Sequence, residues 1–464
     1  MNKLILAFLL FLSLPCWATQ YYLSPTGKDS NNGLSTGASW LTPNHPLNCG
    51  DVITAAASTS YVNTNFSSGD WGTVTCPEKN NVAWLKCATF DACKINTSGT
   101  IYQGMWISKS YWGVEGWEVT TPSTTIYGTC FLISPADKGT AEISHIILAN
   151  NVANGCSYYG FLLSYVGVSS PDYVAIIGNI AYNAATANNA SDGCASGITV
   201  YRPIPADSAA GTHIYIAGNF AYANVDGVGC QGVSIPTDGQ GVILDTLGYN
   251  GYDQQVVIQN NIFVWNGAKG ISVGGAGTTK APIYIKHNTV YGNNTDPHLN
   301  LYDSGELWIS EAGLVTATGD LIAAKSATEA GGNNLLYAMS VVDSQSTNSV
   351  SGEWAYGLSG QNKVVYGTAG SPFGTNVLGT SPEFSNPVKP GAPSCGGYAS
   401  VPACMATVIA DYTPKASGAA AYGYQPVSNV SVTDSLFPQW LCTATGVLDA
   451  NIPSGLITPG CGVK

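Results

Sequence analysis

Six short segments of this 464-residue chain share one pattern, a Gly or Cys followed by residues that alternate between two faces. They are GMWIS from Gly104, CFLIS from Cys130, GFLLS from Gly160, GITVY from Gly197, GVILD from Gly241 and GISVG from Gly270. Alternation with a period of two marks strands with one buried face. The inward members are Met105/Ile107, Phe131/Ile133, Phe161/Leu163, Ile198/Val200, Val242/Leu244 and Ile271/Val273, all apolar. The outward members are Trp106/Ser108, Leu132/Ser134, Leu162/Ser164, Thr199/Tyr201, Ile243/Asp245 and Ser272/Gly274, with polar residues gathering in the middle of the series.

A second pattern interleaves with the first. Asn151, Asn179, Asn219, Asn261 and Asn288 each stand between two strand-like apolar runs, as in AIIGNIAYN and IYIAGNFAY. Their intervals are 28, 40, 42 and 27 residues, so the strands are constant while the connections vary, as in a solenoid with loop insertions. An Asn at one fixed turn stacks on the Asn of the next coil, each side-chain amide bonding to its neighbours along the axis. Together the patterns predict an all-β chain, a right-handed parallel β-helix, with coils near 104–119, 130–154, 160–183, 197–224, 241–266 and 270–293 and another from Glu306.

The extra residues of the two longest repeats fall in loops at 184–196, 203–212, 225–240 and 246–254, which flank GITVY and GVILD. Long loops on a rigid solenoid build the walls of a cleft. Residues 19–100 read as an N-terminal cap and first coils, 101–330 as the core with the candidate site, and 331–464 as C-terminal coils and a cap over the open end. A bare last coil would otherwise leave unpaired strand edges.

Residues 1–18 have the layout of a secretory signal peptide: one Lys, the run LILAFLLFLSLP, then Cys16-Trp17-Ala18. Pro15 makes a lipoprotein reading through Cys16 poor. Twelve cysteines remain after it, an even number that with export favours disulfides, with Cys87/Cys93 and Cys395/Cys404 as local staples. Zinc is disfavoured, because no Cys pair of metal spacing is matched by a second pair. The net charge of −12 argues against nucleic acid as a partner and disfavours a polyanion at long range, so any acidic substrate needs local positive charge. No further stretch is long and apolar enough to span a bilayer, and the expectation is a secreted monomer.

The candidate chemistry clusters on the middle coils. Arg202 is the chain's only arginine, directly after Tyr201 at the end of GITVY. Tyr201 and Asp245 take the same outward place in successive coils, about 4.8 Å apart. Lys269 precedes the next strand of that sheet, and Asp238, in TDGQG, leads into GVILD. These five are expected to converge on one patch of one face. Asp238 before Gly239 is also a turn signature, whereas Asp245, in an apolar strand, has no turn to serve. His287, beside Asn288, reads as a surface or turn residue; His213 and His298 have no partner at a telling spacing. Lys286 and Tyr291 belong with the Asn segments, away from the face.

With YYLSPTGKDSNNGLS at the start, then SGITVYRP, TDGQGVILD, NGAKGISV and GELWIS, the chain resembles extracellular bacterial β-helix proteins of the pectate-lyase-like superfamily, its central block looking like alginate-lyase-type polysaccharide lyases. The resemblance implies β-elimination on a uronate-containing acidic polysaccharide of alginate, pectate or glucuronan type. It carries Lys269 and Tyr201 over as proton-transfer groups and Arg202 as carboxylate binder. In that scheme Lys269 is the base, its pKa lowered by burial and by Arg202, while Asp238 and Asp245 bind substrate, orient these groups or hold Ca²⁺. Two carboxylates are few for a dedicated calcium site. Two alternatives stand: a glycoside hydrolase with Asp238 and Asp245 as acid and base, and a non-catalytic carbohydrate-binding or surface protein. The fold alone does not choose among them.

Overall fold

The computed structural model describes residues 18–76, 81–97, 103–123, 128–136, 142–186, 195–226, 237–274, 280–296, 299, 305–324, 337–342, 347–357, 365–367, 373–418, 430–431, 435–442 and 457–458. The signal-peptide residues 1–17, His298, Cys194, Cys230, Cys461 and parts of the long loops lie outside them.

Three long parallel sheets wind along one axis, two of eleven strands and one of nine. One coil shows the plan. The strand Phe161–Ser164 belongs to the third sheet, Pro171–Ile177 to the first and Ile180–Tyr182 to the second, and Ile198–Tyr201 returns to the third one rung further on. Pairing is parallel with the predicted register, Phe161 opposite Ile198 and Ile198 opposite Val242. This is the right-handed parallel β-helix. Each third-sheet strand pairs with its counterpart in the next coil. The Asn-bearing segment that follows it supplies the other two sheets. Every inward residue of the six strands is at most 1% exposed, from Met105 to Val273, because their side chains fill the lumen between the sheets.

The Asn ladder runs along the turn from the first sheet to the second. Each Nδ2 donates to the Oδ1 of the next rung, at 3.1 Å from Asn151 to Asn179 and from Asn179 to Asn219, 3.0 Å to Asn261 and 2.9 Å to Asn288. The same Oδ1 also accepts from the preceding rung's backbone N–H, so buried turns leave no donor unpaired. The ladder continues in acids: Asn288 donates to Asp320, the Asp320 N–H to Glu353, and the Glu353 N–H to Asn376.

A second ladder, Asn224 to Asn266 to Asn293 at 2.8 Å per step and ending on Glu306, lines the turn from the second sheet to the third. It crowds two of the glycines that open the third-sheet strands. A Cβ at Gly197 would stand 2.7 Å from the Asn224 amide nitrogen, and one at Gly270 would stand 2.7 Å from that of Asn293.

Stacking begins at Gln20–Leu23, within the stretch read as a cap. The C-terminal part continues the coils as far as Val377–Leu378 and then turns onto the flanks. Val401, Met405 and Tyr412 pack on the second sheet with Phe220 and Ile262, and Phe437 and Trp440 on the first with Tyr173 and Tyr215. The expected cover over the open end is thus, in its described residues, a cover over two outer faces, because both present apolar side chains outward. The third sheet's outer face is not among those the packed C-terminal residues cover.

Among the described residues four disulfides have both partners, Cys49–Cys76, Cys87–Cys93, Cys130–Cys156 and Cys395–Cys404, including both expected local staples. Cys442 is also disulfide-bonded. No helix among the described residues is long and apolar enough to cross a membrane.

Candidate functional site

The outer face of the third sheet presents two rows of side chains along the helix axis. One is Leu162, Thr199, Ile243, Ser272 and Trp308; the other is Ser164, Tyr201, Asp245 and Gly274. Parallel register fixes both rows, so Tyr201 and Asp245 are neighbours one rung apart, as the alternation in sequence requires.

Arg202 sits one residue past its strand, in the left-handed region at φ 50°. That conformation is held by its N–H donating to Asp245 O and by the Asn250 amide donating to its carbonyl at 2.8 Å. The guanidinium bridges the neighbouring coils, donating to the Tyr165 hydroxyl at 3.0 Å on one side and to Thr246 Oγ1 at 3.3 Å on the other. Its carbon lies 3.8 Å from the Tyr249 ring centre and 4.8 Å from that of Tyr201, a cation–π clamp. Beside it opens a groove of about 450 Å³ lined by Ser164, Tyr165, Gly167, Tyr201, Tyr249 and Asn250. Burial, reinforced by Asp245, holds the Tyr201 phenol up against the pull of Arg202.

Lys269 and Asp238 occupy the other end of the strands. Lys269 is 9% exposed, makes no ion pair among the described residues, and carries its ammonium nitrogen 5.0 Å from the Trp308 ring centre. Burial lowers its pKa, with Asp238 acting in the opposite sense. Asp238, also 9% exposed, is pushed up by burial against Lys269 and against hydrogen bonds with Thr237 and Gln240. Asp245, the last residue of its strand and level with Tyr201, is pushed up to about 6 by burial and by Asp238, with Arg202 opposing. Tyr159 faces the same two carboxylates, its phenol raised by burial, Tyr158 and their charges.

The backbones of the expected five-residue patch fall in two clusters, while its charges act on one another from Lys269 through Asp238 and Asp245 to Arg202. Lys269 is level with Gln240 and Arg202 with Thr246, six positions along the strand or about 20 Å. The Lys269 tip reaches along the face to Trp308, which is level with Ser272 and three positions nearer the Arg202 end, while Arg202 stays among its tyrosines. The expectation that Arg202 depresses Lys269 is corrected, since burial does so. Asp245 is the group that links the clusters. Asp238 and Asp245 make a poor calcium site: among the described residues no three His, Cys, Asp or Glu side chains are disposed to hold a metal ion, and calcium takes six or more oxygens.

Tyr159, Tyr165, Tyr249 and Trp308 are site residues that sequence reasoning missed. Trp308 was within reach of the alternation, in the register of Ser272; Tyr165 and Tyr249 lie in turns that carry no periodic signal. His213 and His287 fall elsewhere. His213 is buried with Asp172 at 2.8 Å on the first sheet, where Tyr252 also bonds Asp172, and His287 packs beside Gly319. Tyr291 packs on Phe384 and Tyr412.

No family model and no curated protein matches the sequence. Among solved structures, the chain is similar to a GH136 lacto-N-biosidase from Eubacterium ramulus, at 12% identity and TM-score 0.42 over 78% of this chain and 68% of that one. It is also similar to pectate lyase Pel9A, at 16% identity and 0.37 over 78% and 76%, and to a rhamnogalacturonan lyase, at 11% and 0.31 over 79% and 87%. Likeness at this level carries no argument about chemistry, which has to come from the cleft itself.

Proposed function

We propose that this chain is a secreted carbohydrate-active enzyme that breaks a glycosidic bond over Asp245, on the outer face of the third sheet. The observation that carries this reading is the pair Asp238 and Asp245, each raised by burial, with Asp238 further raising Asp245. Titratable neighbours whose surroundings differ in this way divide into acid and base. Asp238 has the Lys269 cation and the Thr237 and Gln240 hydrogen bonds to favour its ionised form. Asp245, at about 6, keeps its proton in mildly acid solution. In hydrolysis Asp245 protonates the glycosidic oxygen as the bond to the anomeric carbon breaks. Asp238 then either attacks that carbon or takes a proton from the attacking water, the carboxyl separation deciding which.

The aromatic groups supply the rest of a saccharide cleft. Trp308 on one side and the Tyr201, Tyr249 and Tyr165 group on the other flank Asp245 along the axis. Three rungs separate Tyr201 from Trp308, about 14 Å, enough for more than one sugar ring. Arg202 makes no ion pair among the described residues, so it is the group available to an acidic substituent of the chain being cut. The cystine content supports an exported protein.

A second reading, β-elimination on a uronate, is favoured by one observation: the buried Lys269 amine has its pKa lowered, as a base for the C5 proton must. The scheme also needs a cation on the carboxylate of the same sugar, and Arg202 starts six positions along the strand from Lys269. Incubation with pectate, alginate, glucuronan and neutral polysaccharides separates the readings. New reducing ends without ultraviolet absorbance mean hydrolysis. An unsaturated, absorbing product means elimination. No cleavage of any member leaves a binding protein and defeats the proposal.

A further inference from the structure

Two of the long loops beside the third sheet are fastened to one buried carboxyl group. Asp172, on the first-sheet strand Pro171–Ile177, is fully buried and accepts three hydrogen bonds. Its Oδ2 accepts from the Ala206 N–H and from His213 Nδ1, both at 2.8 Å, and its Oδ1 accepts from the Tyr252 hydroxyl at 2.8 Å. Ala206 belongs to the loop 203–212, which begins directly after Arg202, and Tyr252 to the loop 246–254, which carries Tyr249 and Asn250. The second loop walls the Arg202 groove: Tyr249 stacks on the guanidinium at 3.8 Å and Asn250 donates to the Arg202 carbonyl at 2.8 Å.

His213 completes the fastening. Its Nδ1 faces Asp172 and its Nε2 faces the Ala209 carbonyl at 2.9 Å, and both partners are acceptors. A neutral imidazole donates from one nitrogen only, so both bonds stand together only while each nitrogen carries a proton. The ring is 1% exposed, so little water reaches it to replace a lost bond. Burial lowers its pKa, but Asp172, the Ala209 carbonyl and Asp207 carry it above the ordinary 6.5. Other titratable groups stand around it. Glu142 faces the same two carboxyl groups, Asp253 lies beside Tyr252, and Tyr173 stacks on His213 at 3.9 Å and on His145 at 4.7 Å. The C-terminal residues 435–442, which bond to Thr212, bring no charged side chain. A group raised in this way lends its full stabilisation below 6.5 and loses it as pH rises through the folded value.

We infer that Asp172 and His213 are positioning residues for the Arg202 groove, holding the loops 203–212 and 246–254 in place while the imidazole is doubly protonated and releasing them as it loses a proton. Neither residue lines the groove; they act on it through Ala206, Ala209 and Tyr252. The groove is then best ordered in mildly acid solution, where Asp245 also holds its proton. That a saccharide occupies it rests on the function proposed above, whereas the fastening of the loops does not.

The test reads amide hydrogen exchange of 203–212 and 246–254 in the full-length protein, corrected for its intrinsic pH dependence and referred to the strand Phe161–Ser164. In the wild type, exchange of both loops is expected to rise severalfold between pH 5.5 and 9. His213→Gln keeps a donor toward Asp172 but carries no charge, and is expected to flatten that response. Tyr252→Phe removes one hydroxyl from the anchor, and exchange of 246–254 is expected to rise about fivefold, as the loss of one hydrogen bond implies. For the member of the polysaccharide panel that the wild type cleaves, KM of Tyr252→Phe at pH 5.5 should rise to a similar extent with kcat nearly unchanged. A flat wild-type response, a response that persists in His213→Gln, unaltered exchange in Tyr252→Phe, or raised exchange with KM unmoved overturns the inference and leaves the proposed function standing. Should His213→Gln fail to fold, the wild-type response and Tyr252→Phe decide. If the loops respond as expected and no saccharide is cleaved, the function fails and the fastening of the loops stands.

Discussion

Glu353 stands one rung beyond Asp320, its Oε2 accepting the Asp320 N–H, so two buried carboxyl groups are neighbours where the earlier steps of the ladder join amide to carbonyl. Two acceptors cannot form such a step unless one carries a proton. Burial and the Asp320 charge place it on Glu353, whose pKa stands well above its ordinary value. Burial also lifts Asp320, against the hydrogen bonds it accepts from Asn288.

The consequence is a pH-dependent C-terminal half. A carboxyl whose folded-state pKa is raised lends stability that is complete below its unfolded pKa and is lost as pH rises through the folded one. For Asp320 that window runs from 3.8 to about 7, and Glu353 shifts in the same direction. Glu353→Gln restores an amide step and is expected to stabilise the protein by about 1–3 kcal/mol at pH 8, with little effect at pH 4. Calorimetric Tm against pH checks this; a wild-type Tm that does not fall between pH 5 and 8 contradicts it.

Mid-ladder, the cost of removal is larger. Asn219 Oδ1 accepts from the N–H and Nδ2 of Asn179, and Asn219 Nδ2 reaches Ile176 O at 2.8 Å. Asn219→Ala leaves two donors and a carbonyl orphaned in a fully buried turn. A loss of about 3 kcal/mol or more is expected in urea unfolding, and a loss below about 1 kcal/mol would mean that water substitutes for the amide.

For the cleft, Asp245→Asn is expected to lower kcat by about 10²- to 10⁴-fold without loss of Tm. Wild-type activity is expected to fall as pH rises above about 6, where Asp245 loses its proton. Asp238→Asn removes the charge that helps raise Asp245, so in any residual activity the alkaline limb moves to lower pH. An alkaline limb unmoved by that change would show that Asp245 is not the acid.

Lys269→Met separates the two chemistries. Elimination would stop. Hydrolysis would survive with its acid limb moved to higher pH, because Asp238 loses the cation that lowers it. The variant should change little in stability, since relief from burying the amine offsets the loss of its attraction to Asp238.

Arg202→Lys keeps the charge and loses the planar fork that stacks on Tyr249 while bonding Tyr165. For an acidic substrate KM should rise about tenfold with kcat nearly unchanged. A proportional fall in kcat would place Arg202 at the reacting centre instead.

Much of this molecule was written in local pattern. Period-two alternation named the inward residues from Met105 to Val273, and the recurring Asn fixed the coils, because a solenoid repeats the same short-range demand at every turn. The register that sets Tyr201 beside Asp245 follows from alternation alone. The second ladder was less legible: Asn224, Asn266 and Asn293 are ordinary turn residues in sequence, and only the closeness of the glycine row reveals their role.

Tertiary structure decided which site residues share a neighbourhood. Sequence places Arg202 and Lys269 on adjoining strands of one sheet but does not say which end of a strand each occupies or which way a side chain at a turn departs. Arg202 goes to the tyrosines because the left-handed turn and the Asn250 bond aim it there, and Lys269 goes to Trp308 on the next coil. Burial, which lifts Asp245 and lowers Lys269, is likewise a property of what surrounds a residue. It depends on loops and neighbouring coils that meet only once the chain has wound.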